Sequence, residues 1–157
     1  MSDKKEFKNE FSWSFSRHSA FNTCKRKYYY SYYGSWGGWE KDADELSKKL
    51  YMLNKMTSLP MLAGSIVHDE VERTLKALRY GRNADQKRSK ENVIKNFKNS
   101  WAQSKNKDWQ ESPKWKTNLF EHYYDKKPTD EELLGFRDLM LNSIDGFFAS
   151  DSYRFIQ

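Results

Sequence analysis

The stretch from Leu62 to Glu72 most constrains the fold, because its spacing predicts a helix that carries an ionisable ring on its apolar side. Residues at i, i+4, i+7, i+11 and i+14 stack on one face of an α-helix. In this helix that face consists of Gly64, His68, Val71, Leu75 and Leu78. We therefore expect His68 to face the interior.

Two interpretations of His68 remain open from the residues alone. Glu72 lies one turn further along the same side of the helix, and Gly64 one turn earlier lets a backbone or a ligand approach closely. An imidazole beside a carboxylate suits a metal site or an acid/base pair, whereas the spacing alone favours a core histidine that donates one hydrogen bond. Because Glu72 would be a costly neighbour in a sealed core, we expect His68 to open on a cleft.

The composition indicates one domain with a basic surface. A chain of 157 residues has the size of a single domain, and we predict a polar lead-in over residues 1–13 followed by a helical domain over residues 14–157. Aromatic residues make up 17% of the chain, so the core must rely on rings more than on aliphatic side chains. The net charge of +6 favours polyanions as partners.

The N-terminus and the cysteine count indicate the compartment. The first six residues are mostly charged, and no apolar run reaches the length of a membrane span or a signal-peptide core. We therefore expect a cytoplasmic protein with no membrane partner. The one cysteine, Cys24, cannot form an intramolecular disulfide and cannot by itself hold zinc or an iron–sulfur cluster. Its position on an apolar helical stripe predicts a small buried residue.

Periodicity and capping residues predict a mainly α fold of about five to six helices. The clearest helix start is the capping box of Thr129 and Glu132. The predicted helices run from Arg17 to about Tyr32, from Ala43 to about Met56, from Pro60 to about Tyr80, from a cap at Ser89 through Trp101, around Leu119 to Tyr124, and from Thr129 to near Ala149.

The last residues predict a change of secondary structure. Tyr153, Arg154, Phe155 and Ile156 begin an alternation of apolar and polar side chains, which is typical of a β-strand. We therefore expect a strand to begin at the C-terminus. A strand without partners leaves its backbone groups unpaired, so this expectation requires a sheet formed by further residues.

A basic and aromatic segment follows the first helical turns. Lys25, Arg26 and Lys27 are consecutive, and Trp36 and Trp39 lie in a glycine-rich loop. Such residues neutralise phosphates and stack on unpaired bases. The alternative is a solvated charged face without a partner.

Two stretches together resemble a known family. Ser14-Phe15-Ser16-Arg17 precedes a helix with Cys24-Lys25-Arg26-Lys27-Tyr28, and Gly64-Ser65-Ile66-Val67-His68 follows. This order is similar to the opening of the RecB-like branch of the PD-(D/E)XK nuclease superfamily, which includes AddB-type and CRISPR-associated exonuclease domains. Members of the branch have a Ser-x-Ser, a Cys-Pro-Arg-aromatic cluster and a Gly-x-x-x-His helix. Lys25 stands where that cluster has proline.

The resemblance implies a DNA nuclease with functions such as DNA repair or phage defence. It implies that His68 is the motif histidine, a catalytic residue that approaches a divalent Mg²⁺ or Mn²⁺ ion. It also implies a helicase or another nuclease-complex subunit as a candidate partner. The branch also uses an Asp and a Glu-x-Lys on neighbouring strands. Neither motif is found here. Gln103-Ser104-Lys105 has the letters of a Gln-x-Lys variant of the second motif, but it lies at the end of a helical pattern and not on a strand, so we interpret it as a chance match.

Two functions follow from these expectations. The first is the helical N-terminal part of an α/β nuclease that is truncated before its catalytic sheet, which explains both the missing motifs and the predicted unpaired strand. The alternative is a non-catalytic helical module that binds nucleic acid or another protein.

Overall fold

The protein was analysed as a computed structural model that describes residues 8–156. The chain divides into two compact units, Met1–Lys55 and Met56–Gln157, and each is described by itself. The described residues contain eight α-helices: α1 Phe15–Thr23, α2 Lys25–Tyr29, α3 Glu45–Asn54, α4 Leu59–Arg79, α5 Gln86–Lys105, α6 Phe120–Tyr123, α7 Asp130–Ala149 and α8 Asp151–Phe155. The mainly α prediction is thus confirmed, with eight helices in the described residues where about five to six are expected.

The first predicted helix is interrupted at Cys24. This residue has an extended backbone, with φ −161° and ψ 110°, and it separates α1 from α2. Its Sγ accepts a hydrogen bond from the backbone N–H of Lys27 at 3.4 Å, so the thiol caps α2. The cysteine is exposed. The prediction of a buried Cys24 is therefore wrong, because a capping side chain turns toward the helix end and away from any apolar stripe.

Aromatic contacts hold the first unit together. Tyr28 packs against Phe21, Tyr32 and Tyr33, with ring centroids 5.2–5.7 Å apart. The guanidinium of Arg17 lies 4.5 Å from the centre of the Tyr32 ring, a cation–π distance. This unit has few aliphatic residues, and contacts between aromatic rings take the place of aliphatic packing, as the composition predicts.

The second unit has an aliphatic core formed mainly by α4, α5 and α7. Its buried members come from all three helices and from the segment before α6. They are Leu59, Leu62, Ala63, Ile66, Val93, Leu119, Met140 and Ile144. The expectation that the core relies on rings more than on aliphatic side chains is therefore wrong for this unit. The segment before α6 is fixed by two backbone hydrogen bonds, from Thr57 to Asn118 and from Phe120 to Thr57, each 2.9 Å long.

The starts of α5 and α7 test the capping predictions. The Thr129 hydroxyl accepts from the Glu132 N–H at 3.1 Å and the Glu132 carboxylate accepts from the Thr129 N–H at 2.8 Å, so the predicted capping box is confirmed. At α5 the cap is Asp85, which accepts from the Arg88 N–H. Ser89 is instead a buried residue inside the helix, and the prediction that it caps α5 is wrong.

The predicted C-terminal strand is absent from the described residues. Residues Asp151–Phe155 form α8, capped by Ser150, whose hydroxyl accepts from the Tyr153 N–H at 3.1 Å. Tyr153 is buried and its ring packs against Phe147 and Phe148 of α7. The expected strand is thus corrected to a helix. Four residues of alternation are too short a pattern to outweigh a serine cap and one well-packed ring.

A buried polar network joins α4 to α5. The carboxylate of Glu70 is almost fully buried and accepts two hydrogen bonds from the Arg73 guanidinium, with a longer contact of 3.4 Å from the Asn92 amide. Thr74 and Ser89 are buried beside each other, with hydroxyl oxygens 3.5 Å apart. Burial raises the pKa of the Glu70 carboxyl, but hydrogen bonds from Arg73, Ser89 and Asn92 outweigh it, so this pKa lies below its ordinary value.

Removal of this carboxylate should destabilise the second unit. Glu70→Ala leaves Arg73 and Asn92 without a buried acceptor, so the free energy of unfolding should fall by roughly 1–3 kcal/mol at neutral pH. Urea unfolding measures it. Glu72→Ala is the matched control, because that carboxylate is exposed and its loss should change stability by less than about 0.5 kcal/mol. Equal losses of unfolding free energy in Glu70→Ala and Glu72→Ala would contradict the assignment of Glu70 as a buried acceptor that stabilises the fold.

The same network predicts a pH dependence. The folded pKa of Glu70 lies below the ordinary glutamate value of 4.5, so its stabilisation is fully present above the unfolded pKa and is lost as the pH falls through the folded pKa. The stability difference between the unsubstituted chain and Glu70→Ala should therefore shrink on acidification below about pH 4. Unfolding curves at neutral and acidic pH measure the difference, and a constant difference would contradict the prediction.

Candidate functional site

His68 lies on the solvent side of α4. The structure places it among the exposed residues of this helix, with no atom within 4 Å of the position where a side chain at Gly64 would begin. Val71 and Leu78 of the predicted stripe are only half-buried and Leu75 is 39% exposed. The expectation that His68 faces the interior is therefore wrong.

The buried face of α4 lies on the opposite side. At about 100° per residue, His68 is half a turn away from the centre of that face. The buried residues are Leu59, Leu62, Ala63, Ile66, Glu70 and Thr74. Sequence reasoning missed this face because two of its members are polar, and their partners Arg73, Asn92 and Ser89 cannot be recognised from periodicity.

The carboxylate one turn after His68 is already paired. Glu72 contacts Lys76 at 2.5 Å, and both side chains are more than half exposed. The hydrogen bond from Lys76 holds the pKa of Glu72 below its ordinary value, with a smaller contribution from the charge of His68. Gly64, His68 and Glu72 thus form an exposed strip along α4, and Lys76 neutralises its one carboxylate.

The predicted basic cluster is exposed. Lys25, Arg26 and Lys27 form the first three residues of α2 and are all exposed. Within residues 8–156 none of the three pairs with a carboxylate. Lys25 lies over the Phe21 ring, 5.5 Å from its centre. The cluster therefore offers unneutralised positive charge.

The two loop tryptophans are half-covered. Trp36 is 39% exposed and Trp39 is 45% exposed, and their rings pack edge to face with centroids 5.0 Å apart. Trp39 also packs against Tyr51 of α3. Gly38 lets the loop approach α3, because a side chain there would overlap the Ser47 carbonyl. Among the described residues, no ring contact or hydrogen bond links this pair to the basic cluster.

A cavity in the second unit contains residues that sequence reasoning did not select. Ser104 is buried, and its hydroxyl lies 2.8 Å from Nδ1 of His122 and accepts from the Leu119 N–H. The His122 ring packs on Trp101, and burial lowers the pKa of this histidine. These side chains line a cavity of about 590 Å³. Ser104 and His122 are eighteen positions apart, so no local pattern could have indicated the pair.

A sequence model of the PD-(D/E)XK nuclease superfamily matches residues 12–146. The chain belongs to the PD-(D/E)XK nuclease superfamily. The match includes both stretches on which the resemblance rests, Ser14–Arg17 and Gly64–His68, so the resemblance at the level of the superfamily is confirmed. No curated protein and no solved structure matches the chain significantly. The helices α4, α5 and α7 of the second unit lie almost entirely within the matched residues.

Superfamily membership connects the chain with phosphodiester hydrolysis that depends on Mg²⁺ or Mn²⁺. Hard divalent ions take several oxygen ligands, but residues 8–156 contain no group of three His, Cys, Asp or Glu side chains placed to hold one. His68 supplies one nitrogen, and Glu72 is paired with Lys76. The described residues by themselves do not fit such an ion.

The Gln103-Ser104-Lys105 segment of this superfamily member lies on a helix and not on a strand. It forms the last turn of α5, where the Gln103 side chain accepts from the Thr117 N–H at 3.3 Å. Gln103 and Ser104 thus fix the chain that follows α5. This placement agrees with the expectation from the sequence that the segment ends a helix.

None of the helices in the described part of the chain is long and apolar enough to cross a membrane.

The exposure of His68 gives a stability prediction. His68→Ala should change the free energy of unfolding by less than about 0.5 kcal/mol, because removal of the ring leaves no cavity. Ile66→Ala, on the buried face of the same helix, should cost roughly 2–5 kcal/mol. Thermal melts of both variants test the orientation of α4, and a large loss of stability in His68→Ala would show that the histidine is a core residue.

Proposed function

We propose that this chain is the helical part of a RecB-like nuclease that hydrolyses DNA phosphodiester bonds, and that its 157 residues do not themselves carry the catalytic Asp and Glu-x-Lys. The observation that carries the proposal is the exposed strip of α4, where a Gly-x-x-x-His motif faces solvent within a superfamily match. A histidine that only packed in the core would not be placed there.

His68 is the residue that we assign to the reaction centre. Its ring projects from the longest described helix, which the core of the second unit holds rigidly, and the open space at Gly64 leaves room for another chain segment. Rigid helices position site residues more accurately than loops do. In the complete nuclease His68 would contribute one ligand for Mg²⁺ or Mn²⁺, and the acidic ligands would come from other residues.

DNA is the proposed substrate, and the first unit offers a surface for it. The unpaired charges of Lys25, Arg26 and Lys27 suit phosphates, and the half-open rings of Trp36 and Trp39 suit unpaired bases. A helicase or nuclease-complex partner and a cytoplasmic location stay predictions.

The first test of this proposal concerns activity. The purified 157-residue chain should not cleave linear DNA in Mg²⁺ or Mn²⁺, because hydrolysis needs carboxylates that fix the ion. Gel assays of end-labelled duplex and single-stranded DNA measure this. Metal-dependent degradation that disappears in His68→Ala would show that the chain is catalytic as it stands.

The coding sequence after Gln157 separates the proposal from a non-catalytic module. A continued reading frame with an Asp and then a Glu-x-Lys supports the nuclease, and His68→Ala in that longer protein should abolish metal-dependent cleavage. A stop codon at that point supports the binding module.

The second test concerns the basic cluster of the first unit. Weak binding to single-stranded DNA is expected, with a log–log salt dependence that each contacted phosphate steepens by roughly 0.7. Replacement of Lys25, Arg26 and Lys27 by Ser should reduce that slope by up to about 2. Titrations at several salt concentrations measure it. An unchanged slope would identify the cluster as a solvated face.

A further inference from the structure

Helix α5 carries a second basic surface that sequence reasoning did not select. Its exposed cations are Lys87, Arg88, Lys95, Lys98 and Lys105. At about 100° per residue these five side chains lie within an arc of roughly 100°. One carboxylate, Glu91, lies on the same arc. We call this arc the α5 basic face.

The α5 basic face points away from the core. The buried residues of the helix are Ser89, Val93 and Ser104, and their mean direction is about half a turn from the centre of the basic arc. The packing of α5 on α4 and α7 therefore requires that the basic face points to solvent. The fold therefore fixes the direction in which these charges point.

The cations of this face are not neutralised by the protein. Within residues 8–156 none of the five forms an ion pair, whereas Lys90, on another side of α5, contacts Asp145 of α7 at 2.6 Å. Five cations against the one carboxylate Glu91 leave the face with a net positive charge, which raises the local concentration of an oppositely charged ligand. The ligand that such a surface fits is therefore a polyanion.

The α5 basic face also borders a groove and runs along most of the helix. A groove of about 630 Å³ lies beside α5, and its lining residues include Ile94, Leu141, Lys95, Lys98 and the carboxylate Glu91. Lysine stems commonly lie along apolar surface while their ammonium groups remain in water. Lys87 and Lys105 are separated by roughly 27 Å along the helix axis. The positive charge therefore forms an extended line.

The positions of the aromatic rings in α5 favour double-stranded over single-stranded nucleic acid as the ligand. Phe97 and Trp101 are half-buried and stack on each other, and Trp101 also packs on His122. The basic arc itself therefore carries no ring for stacking on an unpaired base. Single-strand sites combine charge with aromatic platforms, whereas contacts to a duplex backbone need charge alone.

We propose that the α5 basic face binds the phosphate backbone of double-stranded nucleic acid. This inference rests on the proposed function and adds to it a duplex contact beyond the Lys25–Lys27 cluster. A duplex carries about one charge per 1.7 Å of its axis, so a line of lysines along the helix meets several phosphates without reading the base sequence.

The test compares two triple variants with the same reduction in charge. The first replaces three lysines of the α5 basic face by glutamine, which preserves helix propensity. The control replaces three exposed lysines of the same unit that lie outside α5. The variants are K87Q/K95Q/K98Q and K114Q/K126Q/K127Q. Circular dichroism and thermal melts confirm that both fold, and binding to a duplex DNA of arbitrary sequence is titrated at several salt concentrations.

The expected result is specific to duplex and to α5. The slope of log affinity against log salt should fall by up to about 2.7 in the α5 variant, at roughly 0.9 for each phosphate that the protein no longer neutralises. The control should retain the slope of the unsubstituted chain, and single-stranded binding should depend more on Lys25–Lys27. An equal response of the two triple variants would overturn this inference, and so would a weakening confined to single-stranded DNA.

The outcomes also separate this inference from the proposed function. Duplex binding that is unaffected in the α5 variant but weakened by the Lys25–Lys27 substitutions overturns the α5 contact and leaves the nuclease assignment intact. Undetectable binding of the unsubstituted chain to both forms of DNA at low salt overturns the α5 contact and the nucleic-acid surface of the first unit.

Discussion

The burial of Glu70 in the contact between α4 and α5 fixes the arrangement of the second unit. A carboxylate in that position is tolerated only with its own donors, and Arg73 and Asn92 supply them. The apolar residues Leu62 and Ile66 lie on the same face and pack into the core. Apolar packing and the polar network therefore require the same rotation of α4. A different rotation would expose the core residues and leave a charged group without its donors.

The orientation of the candidate site follows from that rotation. His68 is on the side of α4 opposite Ile66, so the packing that buries Ile66 holds His68 in solvent. The helix contributes position and rigidity, and the exposed strip contributes one imidazole and open space at Gly64. The reactive part of a PD-(D/E)XK nuclease needs acidic ligands as well. Because α4 presents one imidazole and no free carboxylate beside it, the acidic ligands of such a site would come from other segments of the protein.

Two of the helices, one in each unit, each carry a cluster of cations that form no ion pair among the described residues. The net charge of +6 does not reveal this, because several lysines and arginines pair with neighbouring carboxylates, as Arg73 and Lys90 do. On α2 and on the outer face of α5 the cations have no such partners among the described residues. The two surfaces differ in their aromatic surroundings: the first unit exposes tryptophans, and the α5 basic face has none.

The sequence by itself determined the helical class, the capping box at Thr129 and the superfamily, because each is recognised from patterns along the chain and needs no knowledge of tertiary contacts. It also placed α4 to within a residue at each end, since Pro60 and Gly81 bound it. The inward face of α4 and the helix at Tyr153 were decided by the tertiary structure. Glu70 is buried because α5 supplies Asn92 and Ser89, and Tyr153 is helical because α7 presents two phenylalanines. These partners are distant in sequence or lie on another helix, so periodicity could not reveal them.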